Sequence, residues 1–366
     1  MKKICWITPD CFLDTDMGVV PFLKGVNIHW IVLFNLKDNR YKEEDFQKLE
    51  NEHLTIEFLY NKSRARYPQT IFYYLKIKKI IKRENPNIIY FNVMPSNPYI
   101  LPLYFWLPKD KTIFTAHDGR VTASMSFSHI IKFGFYKAYK SVKHVNMFSH
   151  YQASIFNKNF PGKDVTIIPL GLKNFGKPTI SKRKDCIGFV FFGTIHFEKN
   201  LDLLIEAANQ LVEEGLSGFK VSINGMWRVD WKPEDKIRHP DYFELNIANI
   251  ANDDIPNIFE FNHYAVYPYK NMSQSGSLKC AFYYNIPVIV SDLPGFTDEV
   301  EDGIDGFIFK SDNVIDLKRV MRECILRTPQ EYTILKNNMG NHIREKYDDQ
   351  IVFQKYLDMF NKITTL

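Results

Sequence analysis

Gly193, Thr194, Lys199 and Asn200 form a pattern suited to binding an anion. They follow the apolar run 187–192, which is typical of a buried strand, and they precede a helical pattern with a predicted N-cap at Asn200. The first turn of a helix offers unpaired N–H groups and the positive end of the dipole to a phosphate, and Lys199 adds a positive charge. The alternative is an ordinary strand–helix connection with a solvated lysine.

A second polar loop follows another apolar run and has the composition of a diphosphate-binding turn. Its candidate ligands are Ser273, Gln274, Ser275, Gly276 and Ser277. Small residues let a diphosphate approach the backbone, and hydroxyls can donate to it. The alternative is a polar loop without a ligand. Further along, Glu299 can accept hydrogen bonds from ribose or sugar hydroxyls, unless it is simply a solvated surface acid.

The composition predicts a soluble globular protein that works in the cytoplasm. The chain has 366 residues, 45% of them hydrophobic and 24% charged, which suits two domains. A net charge of +5 fits an acidic ligand or a membrane surface, but it is too small for a nucleic-acid partner. The five cysteines lack the spacing of disulfide frameworks or zinc sites, so we expect a reducing compartment and no metal. The longest apolar stretch, 99–107, is too short to span a bilayer.

The elements that must position these residues alternate between apolar β-rich runs and helical patterns. Such alternation predicts an α/β protein with parallel sheets covered on both faces. The segment 172–185 is rich in turn formers and charge, which predicts a linker. We therefore expect two Rossmann-like domains, 1–172 and 187–345, facing a cleft that holds the ligand, with a C-terminal helix at 346–366.

Three motifs in the second half occur in a family order. Gly-Thr-x-x-x-Glu-Lys-Asn, Ser-Gln-Ser-Gly and Pro-Val-Ile-Val-Ser-Asp, between 187 and 309, resemble the C-terminal half of family-4-type glycosyltransferases with the GT-B fold. The resemblance implies metal-independent, retaining transfer of a sugar from a UDP- or GDP-linked donor, without a cofactor. It also implies that the last helix crosses back to the N-terminal domain. The Ser-Gln-Ser-Gly loop is similar to a sub-branch that lacks paired glutamates, whose positions are Met272 and Cys280 here.

The first half carries a weaker resemblance to the same family. Thr115-Ala116-His117-Asp118 is similar to the His-Asp that follows an N-domain strand in many of these enzymes. His117 has a side chain suited to proton transfer near neutral pH, or it binds the donor, or it is a structural histidine. Asp118 is the other candidate base if the reaction inverts. Gly18 is the glycine of the first strand–helix loop, where the family places a donor contact.

The resemblance implies an acceptor that is a glycan or a lipid-linked sugar, in surface polysaccharide or glycolipid assembly. The basic amphipathic stretches 71–83 and 132–143 suggest peripheral contact with anionic lipid at the inner face of the plasma membrane, although solvated Rossmann helices have the same pattern. The competing hypotheses are a nucleotide-sugar 2-epimerase and a non-catalytic partner subunit. A DNA-modifying glucosyltransferase is disfavoured by the modest charge.

Overall fold

A computed structural model describes residues 1–35, 41–61, 67–93, 98–119 and 129–364. The chain divides into two compact units. The first unit comprises Met1–Gly171 together with Asp349–Leu366, and the second comprises Leu172–Asp348. Within the described ranges, no helix is both long and apolar enough to cross a bilayer.

The first unit is built on a parallel sheet with the strand order β3-β2-β1-β4-β5-β6-β7. Its strands are β1 (Lys2–Pro9), β2 (Val26–Asn35), β3 (Leu54–Asn61), β4 (Ile88–Phe91), β5 (Thr112–Thr115), β6 (His144–Met147) and β7 (Asp164–Ile167). Its first helices are α1 (Leu13–Asp16), α2 (Glu44–Gln47), α3 (Thr70–Glu84), α4 (Leu101–Trp106), α5 (His129–Ser141) and α6 (His150–Asn159). The strands β4, β5 and β6 are buried along their whole length, as expected for a parallel sheet covered on both faces.

The second unit repeats this architecture with the order β10-β9-β8-β11-β12-β13, again all parallel. Its strands are β8 (Ile187–Phe192), β9 (Phe219–Asn224), β10 (Phe243–Asn246), β11 (Tyr264–Tyr267), β12 (Val288–Ser291) and β13 (Gly306–Phe309). Its helices are α7 (Leu201–Glu213), α8 (Ile255–Phe261), α9 (Gly276–Tyr283), α10 (Pro294–Thr297), α11 (Val314–Leu326) and α12 (Pro329–Tyr347). The sequence prediction of two α/β domains with parallel sheets is confirmed.

The last helix, α13 (Asp349–Thr364), packs with the first unit. Tyr356 and Phe360 lie against the ring of Trp6 in β1, and Lys362 pairs with Asp164 in β7. Residues 168–186 contain neither helix nor strand. The unit boundaries fall at 171/172 and 348/349, whereas the sequence prediction placed them at 172, 187 and 345.

Candidate functional site

The loops that carry the two predicted anion-binding motifs lie side by side in the second unit. They follow β8 and β11, which are adjacent parallel strands, so both loops emerge at the carboxyl edge of one sheet. In open parallel sheets this edge is where ligands bind. Ser291 at the end of β12 donates from its hydroxyl to the carbonyl of Tyr269 over 2.6 Å, which ties the second loop to the next strand.

Gly193 and Ser277 lie close together where the two loops meet. Gly193 has a φ of 136°, and a Cβ there would lie 2.9 Å from Oγ of Ser277. On its other side, a Cβ on Gly225 would lie only 2.0 Å from the carbonyl oxygen of Gly193. The loop after β8 is therefore packed between the loop after β9 and the first turn of α9. A side chain at Gly225 would overlap the backbone of Gly193, and one at Gly193 would crowd the hydroxyl of Ser277.

The N-terminus of α9 is well formed at this junction. Ser275 is its N-cap, and its hydroxyl accepts a hydrogen bond from the backbone N–H of Leu278 over 3.2 Å. Gly276 is the first helical residue, and a Cβ there would lie 2.7 Å from Nζ of Lys173. Lys173 is buried, and the sequence analysis missed it because it lies in the linker, outside every motif. Helix N–H groups, the hydroxyl of Ser277 and two lysines can thus meet an anion at this edge.

Lys199 lies beside the second loop. Its Nζ is 3.6 Å from the centre of the Tyr269 ring, and the backbone N–H of Lys270 donates to the carbonyl of Glu198 over 3.0 Å. The two loops are thus joined by main-chain and side-chain contacts. The face of a tyrosine ring attracts a cation, so this contact holds the Lys199 side chain beside the second loop.

The other predicted ligands lie in the same two loops. Thr194 is exposed directly after Gly193, and the neighbouring Ile195 forms a bridge with Trp227 that fixes the loop. Ser273 and Gln274 lie half-buried in the second loop before the cap of α9. The structure therefore brings Gly193, Thr194, Lys199 and the 273–277 segment to the same edge of the second sheet.

Asn200 differs from its predicted role as a side-chain cap of α7. It occupies the N-cap position with a left-handed φ of 52°, but its side chain makes no cap hydrogen bond. Its amide donates instead to Oδ1 of Asp312 over 3.2 Å. An aspartate therefore stands at the start of α7, and the helix N-terminus that lies against the glycine turn is that of α9.

Glu299 also differs from both sequence interpretations. It is only 7% exposed, so it is not a solvated surface acid, and its carboxylate pairs with the fully buried Lys279 of α9. The hydroxyl of Tyr347 lies 3.4 Å from the same carboxylate oxygen. Burial lowers the pKa of Lys279, and the charge of Glu299 opposes that shift. This pair anchors α9 inside the unit, which favours a supporting role for Glu299 over contact with the donor.

In the first unit, His117 follows β5 and is held from two sides. Its Nε2 lies 2.8 Å from Oδ1 of Asn92, and its ring stacks on Phe12 with centroids 3.7 Å apart. The next residues are fixed on α6, because the N–H of Gly119 donates to Gln152 over 2.8 Å. Asp118 is half-buried beside His117, and Gly18 lies exposed in the turn after α1.

Behind His117 is a buried carboxylate that the sequence analysis did not identify. Asp16 is fully buried, and its Oδ2 accepts hydrogen bonds from Trp6, Thr8 and Asn92. Burial raises the pKa of Asp16 to about 6, although these three donors act in the opposite direction. The available signal was an aspartate in the first strand–helix loop and a polar residue directly after the apolar strand β4.

Replacing Gly193 by alanine is expected to lower the free energy of unfolding by roughly 2 kcal/mol, since a strained backbone conformation costs about 1–3 kcal/mol. The positive φ disfavours a side chain, and the new Cβ meets Ser277. The measurement is urea unfolding. Gly215→Ala is the matched control, because it also has positive φ but open space around it. Equal losses in both variants would contradict the close packing at Ser277.

The comparisons with known proteins concern one segment of the second unit and the fold of the whole chain. Residues 187–326 match the family model described as Glycosyl transferases group 1. Within the second unit, this segment is therefore similar to glycosyl transferases group 1. The match covers less than half of the chain and includes both loops. No curated protein matches the chain by sequence. Among the described residues, no group of three or more histidine, cysteine or acidic side chains is placed to hold a metal ion.

Solved glycosyltransferase structures share the fold over almost the whole chain. HepE from Anabaena, in complex with UDP and glucose, has a TM-score of 0.71 at 13% identity and covers 99% of this chain and 100% of its own. Sucrose-phosphate synthase from Thermosynechococcus elongatus has a TM-score of 0.76 at 11% identity, with 100% of each chain covered. WaaG, a glycosyltransferase involved in lipopolysaccharide biosynthesis, has a TM-score of 0.65 at 14% identity over 98% of this chain and 99% of its own. The GT-B fold class is confirmed.

Proposed function

We propose that this protein is a glycosyltransferase. It transfers a sugar from a UDP- or GDP-linked donor to a glycan or lipid-linked acceptor, in the assembly of a surface polysaccharide or glycolipid. The observation that carries the proposal is the contact between the loop after β8 and the N-terminus of α9, inside the segment that matches glycosyl transferases group 1. This geometry supports a binding site for a nucleoside diphosphate.

The proposed chemistry follows from the charge that develops on the leaving group. The bond between the anomeric carbon and the β-phosphate oxygen breaks, and the acceptor oxygen bonds to that carbon. The acceptor hydroxyl passes its proton to the departing diphosphate or to His117. Lys199, the first amides of α9 and the hydroxyl of Ser277 neutralise the departing diphosphate, without a metal ion in this proposal. Such preorganised donors supply a large share of transferase catalysis. Lys173 adds a second cation to the same helix end.

The remaining candidate residues have secondary roles in this proposal. Gly193 and Thr194 line the diphosphate, as do Ser273 and Gln274 from the opposite loop. For two residues of the first unit we propose separate roles: Gly18 as a donor contact and His117 as proton acceptor or sugar ligand. We propose retention of the anomeric configuration, and Asp118 is the base in the inverting alternative. The configuration of the product, read by NMR of the new glycosidic bond, decides between them.

The experiment that tests the proposed function is a panel of nucleoside diphosphates and their sugars. Binding is measured by thermal shift and by calorimetry, and a donor that binds is then incubated with glycan and lipid-linked acceptors. We expect UDP or GDP to raise the melting temperature, because a ligand that binds only the folded state stabilises it. The absence of any shift at millimolar concentrations, followed by the absence of product, would refute the proposal.

A non-catalytic partner subunit is the second candidate. It is favoured by Met272 and Cys280, which occupy the positions of the paired glutamates in the resembling family. The two functions differ in the same panel, since a transferase releases a nucleoside diphosphate from its donor when the acceptor is present. An epimerase would convert the donor alone, without an acceptor.

We also propose peripheral attachment to anionic membranes through neighbouring helices of the first unit. Phe72 of α3, Phe105 of α4 and Phe133 of α5 are each at least half exposed, and α4 contacts both other helices. Exposed lysines, including Lys76 and Lys137, accompany these rings. Exposed aromatic residues with nearby lysines suit a surface of anionic lipid.

Replacing Phe133 by serine is expected to reduce the protein fraction that sediments with anionic vesicles by severalfold, because an exposed aromatic anchor is lost. Lys137→Ser should reduce the same fraction and weaken its dependence on salt. Phe261→Ser, at a partly exposed aromatic of the second unit, is the control and should leave the sedimented fraction unchanged. Wild-type protein that fails to sediment with anionic vesicles at low salt would contradict this attachment.

A further inference from the structure

Asp16, Asn92 and His117 form a hydrogen-bonded chain from the interior of the first unit to its sheet edge. The amide Nδ2 of Asn92 donates to Oδ2 of Asp16 over 3.0 Å. The Oδ1 atom of Asn92 lies 2.8 Å from Nε2 of His117. Asp16 and Asn92 have no exposed surface, while His117 is half-buried. Asp16 is the last residue of α1, and Asn92 and His117 lie just after the adjacent strands β4 and β5.

The polarity of this chain is determined by chemistry. An ionised carboxylate only accepts hydrogen bonds, so the NH₂ group of Asn92 must face Asp16. The carbonyl oxygen of Asn92 then faces His117, and a carbonyl oxygen also only accepts. The Nε2 atom of His117 must therefore carry a proton. In the neutral imidazole, the lone pair then lies on Nδ1.

The surroundings hold the carboxylate in one orientation. Trp6 donates to the same Oδ2 of Asp16 over 2.8 Å and stacks on Tyr90 with centroids 3.9 Å apart. Thr8 donates to this oxygen as well, and it accepts from Nε1 of Trp30 over 2.9 Å. Oδ1 of Asp16 has no hydrogen-bond partner among the described residues, so all three donors converge on the oxygen that faces Asn92. Asp14, Tyr90 and Tyr356 are the other ionisable groups that act on this carboxyl.

We propose that Asp16 is a positioning residue which, through Asn92, keeps the proton of His117 on Nε2 and its acceptor lone pair on Nδ1. The stack on Phe12 restricts the ring to one plane. The tautomer then assigns the accepting role of His117 to one defined atom, Nδ1. The positioning itself is a property of the free protein. Its use in sugar transfer rests on the proposed function.

The decisive experiment reads the ring nitrogens of His117 in the ligand-free protein by ¹H–¹⁵N correlation spectroscopy at pH 7.5. The signals are assigned from their loss in His117→Gln. We expect a protonated Nε2 and an unprotonated Nδ1 in the wild type. In Asp16→Asn the carboxamide can donate as well as accept, so Asn92 loses its fixed orientation and we expect both tautomers of His117.

Asp305→Asn is the matched control. Asp305 is equally buried and lies 2.7 Å from a histidine, His342, but it belongs to the second unit. It should leave the spectrum of His117 unchanged. If Asp16→Asn does not fold, Asn92→Ala breaks the same chain and should also mix the tautomers. A wild-type His117 with its proton on Nδ1, or an unchanged tautomer in a folded Asp16→Asn or Asn92→Ala variant, would overturn the proposal.

A kinetic readout separates this inference from the proposed function. If the protein transfers sugar, Asp16→Asn should lower kcat by roughly tenfold or more with little change in the KM of the donor, because general acid–base catalysis contributes about 100-fold or more. The double variant with His117→Gln should be no slower than His117→Gln alone. Without transferase activity, the tautomer result stands by itself. A defect in Asp16→Asn that adds fully to that of His117→Gln would contradict positioning.

Discussion

Replacing Lys199 by alanine is expected to weaken the binding of UDP or GDP by roughly tenfold to a hundredfold, because a hydrogen bond to a charged group is worth about 1.5–3 kcal/mol. The ammonium group lies over the ring of Tyr269, at the junction of the two loops. Its loss should affect turnover more strongly than donor binding. The negative charge on the β-phosphate increases as the sugar leaves, and removing one such donor typically costs about 100-fold or more in kcat.

Two variants make this result specific. Lys199→Arg keeps the charge and should retain most of the affinity for the diphosphate. Lys220→Ala removes a lysine from the second residue of β9, near the opposite edge of the same sheet, and should have no effect. Calorimetry with UDP and GDP measures all three variants. Equal losses from Lys199→Ala and Lys220→Ala would indicate a general charge effect and would contradict a local contact.

Replacing Glu299 by alanine is expected to lower the free energy of unfolding by about 3–5 kcal/mol, the cost of leaving a buried charge without its partner. Lys279 has no exposed surface, and its ammonium group pairs with Glu299 near the ring of Tyr347. Because Lys279 holds the middle of α9, the capped N-terminus of this helix should lose its position as well. We therefore expect weaker diphosphate binding together with the loss of stability.

The pH dependence gives this prediction a sign. Burial lowers the folded-state pKa of Lys279 below its ordinary value, and removing Glu299 lowers it further. A lysine whose pKa is lower in the folded state than in the unfolded state destabilises the fold at pH values below the unfolded-state pKa. This loss of unfolding free energy decreases as the pH rises from the folded-state pKa towards the unfolded-state pKa. The stability deficit of Glu299→Ala should therefore shrink between pH 7 and pH 10.

Chemical unfolding across this pH range tests the ion pair with two controls. Replacing both partners by apolar residues, Lys279→Met with Glu299→Leu, should recover most of the stability, because no buried charge remains. Glu301→Ala removes an exposed acid two residues away and should change the stability by less than about 0.5 kcal/mol. Two results would contradict a buried, unpaired Lys279 cation in Glu299→Ala. One is a variant as stable as the wild type, and the other is a loss of stability that grows as the pH rises.

Much of the fold could be predicted because its signals are local. Continuous apolar runs such as β8 and β12, each bounded by turn residues, identify buried strands of parallel sheets. The helical pattern at 71–83 corresponds to α3, which buries Tyr74 and Ile77 and exposes Lys76 as expected. Local spacing alone determines these features, so the sequence is sufficient to predict them.

The site was less predictable because its contacts join distant segments. Asn200 has the residue type of an N-cap, but its side-chain amide donates a hydrogen bond to Asp312, more than 100 residues away in the sequence. Glu299 lies in an acidic segment that is typical of a protein surface, and only the folded structure shows that it pairs with Lys279 of α9. Lys173 and Asp16 carry no motif, and their roles arise from strand ends and loops that meet only in the folded sheets. Sequence spacing predicted that the two loops of the second unit lie together, as they do, but not which residues support them.

The most direct test of a diphosphate site at the β8 and β11 loops is a crystal structure of the protein with UDP, and a second with GDP. We predict that the β-phosphate lies within hydrogen-bond distance of the first amides of α9 and of the Ser277 hydroxyl, with the Lys199 ammonium group in contact. A diphosphate bound elsewhere in the second unit, with the Gly193 and Ser277 junction empty at saturating nucleotide, would contradict the proposed site.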